Sequence, residues 1–461
     1  MKNGKPNIIV VGMLDTKGNE IKFIADQVAF YGGNPVIMNM SLGKDVDWAD
    51  ISLDEVLAAN GTDKKEVFAA PRASAIEMVG NAGAAKAVQL YEEGKVDGII
   101  SWAGSVGTTT VCYAMRALPF GVPKIMMTDM ASSDVSMWIG NKDIYIMNPT
   151  AEMGINVVTR KMVANAAAGI VCMAKVGEEA TKGARPLIAL TAYGTTTPPV
   201  NAIAKDMDAR GWDSITIHQV GSAGATMEDL IRSGHIKAVI DLTIGELTNT
   251  MYNSPYGMPK TWTGERLTAA SEMGIPQIVC PGGIDQSACG AIDSLPKEFL
   301  EDFKSGKRRG YKDTKAPYIH NAGVTIMVPT LDEIAYLCDY IAERLNKTTG
   351  PTMFILPMQG WSAYDQSEAL ATRARGWSEG NGCGPVWEPD EKEPRWSRRA
   401  TLMRPLMRDK LTKDNGNLDY MVCDMHILDK EFSDLCYKIM SDMLDEKWKK
   451  GMYRDVPKVL E

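Results

Sequence analysis

The sequence predicts an α/β protein with two Rossmann-like, doubly wound parallel sheets that face each other across a cleft. Short apolar or β-branched runs alternate with helix-length amphipathic segments, and this alternation restarts near the middle of the chain. A chain of 461 residues is also too long for one ordinary core. We expect domains at 1–180 and 181–461, joined through a polar stretch at 177–185.

In the first half, short apolar runs predict strands and longer periodic runs predict helices. Ser52 followed by Glu55 is typical of a capping box that opens a helix, and Gly61 ends it. The expected strands are 7–11, 35–40, 98–102, 124–127 and 144–147, and the other expected helices are 20–30, 73–93 and 155–173.

The second half repeats the pattern. Thr330 and Glu333 form another capping box, before a helix at 331–346. The expected strands are 187–190, 215–218, 238–242, 277–280, 324–328 and 353–356, and a helix at 429–448 closes the chain. Residues 365–420 break the rhythm with many Arg, Glu and Pro residues and with Trp377, Trp387 and Trp396, so we interpret them as an insertion that offers a contact surface.

Composition excludes several classes of function. The net charge is -8 and the basic residues are dispersed, which argues against nucleic-acid binding. The longest apolar candidate, 162–174, is too short to cross a bilayer, so we expect no membrane partner. The eight cysteines contain no CxxC pair, which indicates reduced thiols in the cytoplasm rather than disulfides or a structural zinc site.

Small and polar residues follow three predicted strands of the first domain. They are 15–18 (DTKG), 104–108 (GSVGT) and 128–133 (TDMASS). In an open parallel sheet these segments meet at the carboxyl edge, where backbone amides at helix N-termini bind anions. We therefore expect a phosphate site there, although a tight strand-to-helix turn explains 104–108 equally well.

Candidate ligands of that phosphate follow from charge and hydrogen-bonding capacity. Lys17 would supply a cation and Arg72 a bidentate contact, while Asp15 or Asp129 would hold Mg²⁺ through water. No residue cluster predicts a protein-only metal site. The candidates of the loops themselves are Asp15, Thr16, Gly104, Ser105, Val106, Gly107 and Thr108.

In the second domain, further loops rich in Gly, Ser and Thr should lie at the corresponding edge. The titratable candidates for acid-base chemistry on a small substrate are Glu246, Asp285, His320 and His426. Each of them can equally be a capping, turn-forming or core residue. His320 is the strongest candidate because Asn321 and Gly323 indicate a loop there rather than a core strand.

The chain resembles the Tm-1-like ATP-binding family, uncharacterised protein family UPF0261. In the first domain the resemblance rests on 11–18 (VGMLDTKG), 103–108 (AGSVGT), 115–124 (MRALPFGVPK) and 165–169 (NAAAG). In the second domain it rests on 194–198 (GTTTP), 241–243 (DLT), 246–247 (EL), 281–285 (PGGID), 320–321 (HN), 324–325 (VT) and 424–432 (DMHILDKEF).

The resemblance implies two Rossmann-like domains, with ATP on the first. It assigns ATP contacts to 15–17, Arg72 and 104–108, and it favours a homo-oligomer. The family pattern at 103–108 is Gly-Gly-Ser-Gly-Gly-Thr, so this chain lacks two of those glycines. The family's terminal His-His pair is Met425-His426 here.

Three functions remain open from the sequence. The leading hypothesis is an ATP-binding enzyme, or a subunit of one, that acts on a small organic substrate between the domains. The alternatives are a regulatory or structural nucleotide-binding module without turnover, and an enzyme whose phosphate loops bind a sugar phosphate or acyl-CoA.

Overall fold

The computed structural model describes residues 4–176, 178–311, 314–371 and 382–461. The chain divides into two compact units, Met1–Gly183 and Ala184–Glu461. Each unit is built on a wholly parallel sheet with helices on both faces, which confirms the predicted pair of parallel-sheet α/β domains.

The first unit contains a five-stranded sheet in the order β2-β1-β3-β4-β5. Because β1 lies between β2 and β3, the sheet has its topological switch point between β1 and β3. The elements in chain order are β1 (Asn7–Gly12), α1 (Leu14–Phe30), β2 (Asn34–Asn39), α2 (Leu53–Ala58), α3 (Lys64–Ala69), α4 (Arg72–Glu92), β3 (Gly98–Trp102), α5 (Ser105–Ala117), β4 (Lys124–Met127), α6 (Ser136–Ile139), β5 (Tyr145–Met147) and α7 (Val157–Ala174).

Alternate residues of β1 build the two cores of this unit. Ile9 and Val11 pack with α4 and α5 on one face, whereas Ile8 and Val10 pack with α1 and α7 on the other. Both sets are apolar because a central parallel strand is covered on both faces. The strand therefore reads as one continuous apolar run.

The second unit contains a six-stranded parallel sheet in the order β14-β13-β9-β8-β6-β7. Its first strand, β6, again lies between the next two strands. The elements are β6 (Leu187–Ala192), α8 (Thr197–Ala209), β7 (Asp213–His218), α9 (Ala223–Arg232), β8 (Ile236–Thr243), α10 (Glu246–Met251), α11 (Ala269–Met273), β9 (Gln277–Gly282), β10 (Ser287–Cys289), α12 (Lys297–Ser305), β11 (Tyr318–Asn321), β12 (Val324–Met327), α13 (Leu331–Leu345), β13 (Thr352–Pro357), α14 (Glu368–Ala371), α15 (Arg398–Lys410), β14 (Leu418–Cys423) and α16 (Lys430–Leu444).

A small antiparallel sheet, β10-β12-β11, branches from this unit. The apolar run at 324–328 was expected to join the main parallel sheet, and that prediction is wrong. The run forms β12, which pairs antiparallel with β10 and β11. Asn321 Oδ1 accepts a hydrogen bond of 2.8 Å from the Gly323 amide, so a tight turn folds β12 back onto β11.

The segment expected as an insertion contributes two elements to the layered fold. β13 and β14 are parallel neighbours, and parallel neighbours need a crossover, which contains α15. Ala400, Met403 and Met407 on α15 are fully buried in the core that α13 shares. The many arginines and Pro405 hide this apolar stripe in the sequence.

Two of the three tryptophans of that segment pack inside the unit. Trp387 is buried, and Trp396 is half-buried with its Nε1 donating to Asp424 Oδ1 at 2.8 Å. They therefore do not form the exposed contact surface that the sequence suggested. Trp377 lies outside the described residues.

One helix among the described residues, α7, has the length and apolar composition of a membrane-spanning segment. Its Val163, Ala167 and Ile170 side chains are fully buried in the core beneath the first sheet. In this fold α7 acts as a covering helix of that sheet.

Candidate functional site

The candidate site lies at the carboxyl edge of the first sheet. β3 is hydrogen-bonded to β1 on one side and to β4 on the other, all in parallel. The segments that follow these three strands therefore start side by side, about 5 Å apart from strand to strand. They are the three segments singled out from the sequence.

The predicted loop at 15–18 belongs to the first turns of α1, which begins at Leu14 rather than at residue 20. The amides of Thr16 and Lys17 donate to the Met13 carbonyl and close the first turn. Lys17 has non-helical angles, φ -123° and ψ 21°, so α1 is kinked at this residue. Thr16 is exposed, and its hydroxyl donates to the Met13 carbonyl at 3.3 Å.

The Lys17 side chain is 5% exposed. Its ammonium donates to the backbone carbonyl of Glu152 and lies 5.7 Å from the centroid of the Trp102 ring. Burial lowers the pKa of Lys17, while the carboxylates of Glu20, Glu152 and Asp129 partly oppose that shift. The edge thus holds a buried cation among acidic groups.

Gly104 precedes α5 and supplies no side chain to cap it. A β-carbon at Gly104 would lie 3.0 Å from Glu152 Oε1. Glu152 therefore contacts both Lys17 and the N-terminus of α5. A helix of this length presents unpaired amides and a partial positive charge at its first turn.

The remaining residues of the 104–108 segment differ in what they offer to a ligand. Ser105 is exposed and Val106 half-buried at the helix start. Thr108 is fully buried, and its hydroxyl donates to Thr128 Oγ1 at 2.9 Å. Gly107 is buried, and a β-carbon there would lie 2.8 Å from that of Ala103. Thr108 and Gly107 thus fix the local packing, and Ser105 faces solvent.

Asp15 and Asp129 each present one carboxylate oxygen, Oδ1, that is buried without a hydrogen-bond partner among the described atoms. Asp15 Oδ2 accepts from the amides of Gly43 and Lys44 at 3.1 and 3.3 Å. Within the described residues, no group of three or more His, Cys, Asp or Glu residues could hold a metal alone. Any cation here would need oxygens from a ligand or water.

Arg72 is the exposed first residue of α4. A β-carbon at Gly80 on α4 would lie 2.8 Å from the Tyr113 ring on α5. Gly80 and Tyr113 each lie about two turns past the first residue of their helices, so α4 and α5 pack in parallel with level N-termini. Arg72 and Ser105 therefore share the carboxyl edge.

In the second unit, Glu246 belongs to a buried ion network. Arg266 donates to Glu246, to Glu228 at 2.7 Å and to Asp241 at 2.8 Å, and all four side chains are at most 3% exposed. Burial raises the pKa of Glu246 to about 7, and Arg266 opposes this. Glu246 thus lies in the core, where Arg266 is its ion-pair partner.

Asp285 and His426 are also fully buried. Asp285 Oδ2 accepts from Ser362 at 2.6 Å, and burial raises the pKa of Asp285 to about 7, with the Asp365 charge adding to the rise. His426 Nδ1 accepts from the Leu428 amide, and Nε2 lies 3.1 Å from the Asp365 carbonyl oxygen, to which it donates. His426 is thereby held as a neutral structural residue.

His320 differs from the other three candidates because it lines a cavity of about 490 Å³. His320 lies in strand β11, so the prediction of a loop at this position is wrong. Asn321 and Gly323 form the turn that follows the strand. The Tyr364 hydroxyl lies 3.1 Å from His320 Nδ1.

Other residues that line this cavity were not named as site candidates from the sequence, although Tyr193 opens the loop expected after the first strand of the second domain. They are Tyr193, His218, Gln286 and Tyr364. Tyr193 and His218 lie at the carboxyl ends of β6 and β7. Ligands of parallel sheets bind beyond the carboxyl ends of strands, so the reasoning that located the first site applies to these two residues as well. Gln286 and Tyr364 carry no comparable signal in the sequence.

Comparisons with known proteins cover both units. Residues 6–179 match the model for the N-terminal domain of the uncharacterised protein family UPF0261, and residues 185–376 match the model for its C-terminal domain. A UPF0261 protein of Clostridium tetani is 36% identical over 361 residues, 78% of this chain and 85% of the relative. A UPF0261 protein of Rhizobium meliloti is 32% identical over 360 residues, 78% of this chain and 85% of that relative.

The tomato (Solanum lycopersicum) ToMV resistance protein Tm-1(GCR237) is 27% identical over 387 residues. The match covers 79% of this chain and 49% of the tomato protein. These findings confirm the resemblance drawn from the motifs.

Proposed function

This chain belongs to the uncharacterised protein family UPF0261, and we propose that its first unit binds ATP through the phosphate chain at the carboxyl edge of β1 and β3. The observation that carries the proposal is the buried ammonium of Lys17 at the switch point, with Glu152 contacting both Lys17 and Gly104. Ligands of doubly wound sheets bind at this point. The ATP expected from the family resemblance suits such an anion-binding edge.

The α5 N-terminus supplies the second half of the phosphate site. The N-cap residue is a glycine and supplies no capping side chain of its own to the first amides of α5, and Ser105 adds an exposed hydroxyl. Arg72 shares the edge and provides a planar cation for a terminal phosphate. For ATP to bind, the Glu152 carboxylate must withdraw from the start of α5.

Mg²⁺ fits the acidic surroundings. Glu20, Asp129 and Glu152 already place negative charge near Lys17, so bare triphosphate would meet repulsion. Magnesium is bound by one or two carboxylates together with phosphate oxygens and water. The buried, unpartnered Oδ1 atoms of Asp15 and Asp129 are the groups that would hold it, and the ion would neutralise phosphate charge.

Calorimetric titration with ATP and Mg²⁺ tests this site. Wild type should give saturable heats, and Lys17→Met should bind at least about tenfold more weakly because a charge-assisted phosphate contact is lost. Lys95→Met is the matched control, because Lys95 lies just before the amino end of β3 and its side chain is 64% exposed. Equal affinities for wild type and Lys17→Met would remove Lys17 from the site.

A nucleotide-binding module without turnover is the second candidate. It is favoured by the full burial of Glu246, Asp285 and His426, three of the four acid-base candidates. To distinguish an enzyme from a binding module, ATP is incubated with the protein and candidate carboxylates, sugars and acids, and the nucleotides are then analysed by chromatography. Release of ADP or AMP above a protein-free control supports an enzyme, whereas complete recovery of ATP supports the module.

A further inference from the structure

The cavity that His320 lines is built within the second unit. Its floor comes from the carboxyl ends of β6 and β7, through Tyr193 and His218, and its opposite wall from β11 and β12. Its volume of about 490 Å³ falls within the range of small-molecule pockets. The cavity lies at the carboxyl edge of the second sheet, beside the first strand of that unit and on the side of β7.

Aromatic rings form much of the wall. The Tyr193 and His218 rings meet edge to face with centroids 5.9 Å apart, and Tyr364 meets the Tyr318 ring behind it at 5.6 Å. Edge-to-face packing fixes the orientation of such rings, and fixed ring faces favour a planar aromatic ligand. Val324 and Ile326 complete an apolar surface beside them.

The described lining of the cavity favours an uncharged ligand. None of the described lining residues is Lys, Arg, Asp or Glu. Burial raises the pKa of Tyr193 and of Tyr364, with a smaller contribution from neighbouring carboxyl groups, so both phenols line the cavity in the neutral form. A cation would lose its hydration without meeting a carboxylate on the surface.

Hydrogen-bonding groups are few and fixed. Tyr364 remains a phenol because burial raises its pKa, and its hydroxyl lies within hydrogen-bonding distance, 3.1 Å, of His320 Nδ1. Gln286 is 4% exposed; its Nε2 donates to Thr195 Oγ1 at 3.0 Å, while its Oε1 has no partner among the described atoms. The phenol, the imidazole and the side-chain amide suit the carbonyl or amide group of an uncharged ligand.

We propose that the second unit binds an uncharged aromatic compound bearing a carbonyl or amide group in this cavity, with the ligand's polar group beside His320 and with Tyr364 holding the imidazole in position. This proposal rests on residues of the second unit alone and does not depend on the proposed nucleotide site.

Saturation-transfer NMR titrations with benzamide, benzoate and benzylamine test the proposal on the full chain. Benzamide should bind in the millimolar range, and the two charged compounds at least about tenfold more weakly. Tyr364→Phe should weaken benzamide about fivefold, because it removes one hydrogen bond that orients His320. Tyr336→Phe is the matched control, since Tyr336 is 58% exposed on α13.

Ala288→Phe, which fills the cavity from β10, should abolish benzamide binding. Failure of benzamide to bind at millimolar concentrations, equal binding of benzoate or benzylamine, or unchanged binding to both Tyr364→Phe and Ala288→Phe would overturn the proposal. Calorimetry with ATP on Tyr364→Phe distinguishes this failure from failure of the nucleotide site, because ATP affinity should stay at the wild-type value.

Discussion

At the scale of single residues, burial makes Lys17 an unfavourably placed side chain of the first unit. Its lowered pKa means that the folded protein disfavours the ammonium relative to water, despite the three nearby carboxylates. Lys17→Met should therefore raise Tm in the absence of ligand, by about 2–4 °C for each 1 kcal/mol gained. The difference in Tm between Lys17→Met and wild type should narrow as pH rises through the folded pKa of Lys17, because the ammonium then deprotonates. Calorimetric melting at several pH values measures this, and a lower Tm for the variant would contradict it.

The same shift predicts a pH dependence of ATP binding. Lys17 contributes to phosphate binding only when protonated, so affinity is full below its pKa and falls as pH rises through it. Because that pKa is lowered, the fall begins below the range of an ordinary lysine. Lys17→Arg, which keeps its charge, should flatten the profile. Parallel profiles for the two proteins would show that another group titrates.

Gly104 offers a test that separates binding from stability. An added methyl group would meet only the movable end of Glu152, so Gly104→Ala should change Tm little yet keep phosphate from the start of α5. We expect ATP affinity to fall about tenfold, as measured by calorimetry. Gly169→Ala on α7 is the control, because its new β-carbon meets Ile125 at an ordinary 3.8 Å. Unchanged affinity in Gly104→Ala would remove the α5 N-terminus from the site.

The chemical character of the individual candidates could be predicted only in part. Segments after parallel strands identified Lys17 and Gly104, which follow the neighbouring strands β1 and β3, whereas Arg72 was identified from its place just before a predicted helix. The sequence could not show that Glu246 meets Arg266, because these residues are joined by tertiary packing alone. For the same reason Tyr364, which contacts His320 from a distant segment, carried no local signal.

At the scale of elements, the capping boxes are the sequence signals that translate most directly into structure. The Ser52 amide donates to Glu55 at 2.9 Å, and the Thr330 amide donates to Glu333 at 2.7 Å, so both predicted helix starts are confirmed. These contacts lie within four residues, and local sequence therefore determines them.

Thr330→Ala should lower the free energy of unfolding by about 1 kcal/mol, because α13 loses the hydroxyl that accepts from the Glu333 amide. Urea denaturation measures the change. Thr330→Ser keeps the acceptor and should retain most of the stability. An equal loss in both variants would mean that the threonine methyl group, rather than the cap, is responsible.

Elements that depend on distant partners were predicted less well. β14 begins at the end of the segment rich in Arg, Glu and Pro and extends beyond it, and its strand character depends on pairing with β13. β12 has the apolar run of a parallel strand but pairs antiparallel, since its turn with β11 decides the direction. An apolar run shows that a strand is buried and leaves its partner undetermined.

At the scale of the whole molecule, the two units share one strand order around their first strands, β2-β1-β3 and β7-β6-β8. Repeated βα units made this class of fold predictable, because strands in such alternation become parallel and are covered on both faces. Each unit carries its candidate site beside the first strand. The nucleotide edge offers cations and amides, whereas the second cavity offers aromatic walls.

The most direct test of the nucleotide site is a crystal structure of the protein grown with excess ATP and Mg²⁺. The account predicts triphosphate density within hydrogen-bonding distance of the Lys17 ammonium and of the first amides of α5, with Glu152 moved away from Gly104. Nucleotide bound elsewhere, or this edge still filled by Glu152 with no phosphate density, would contradict it.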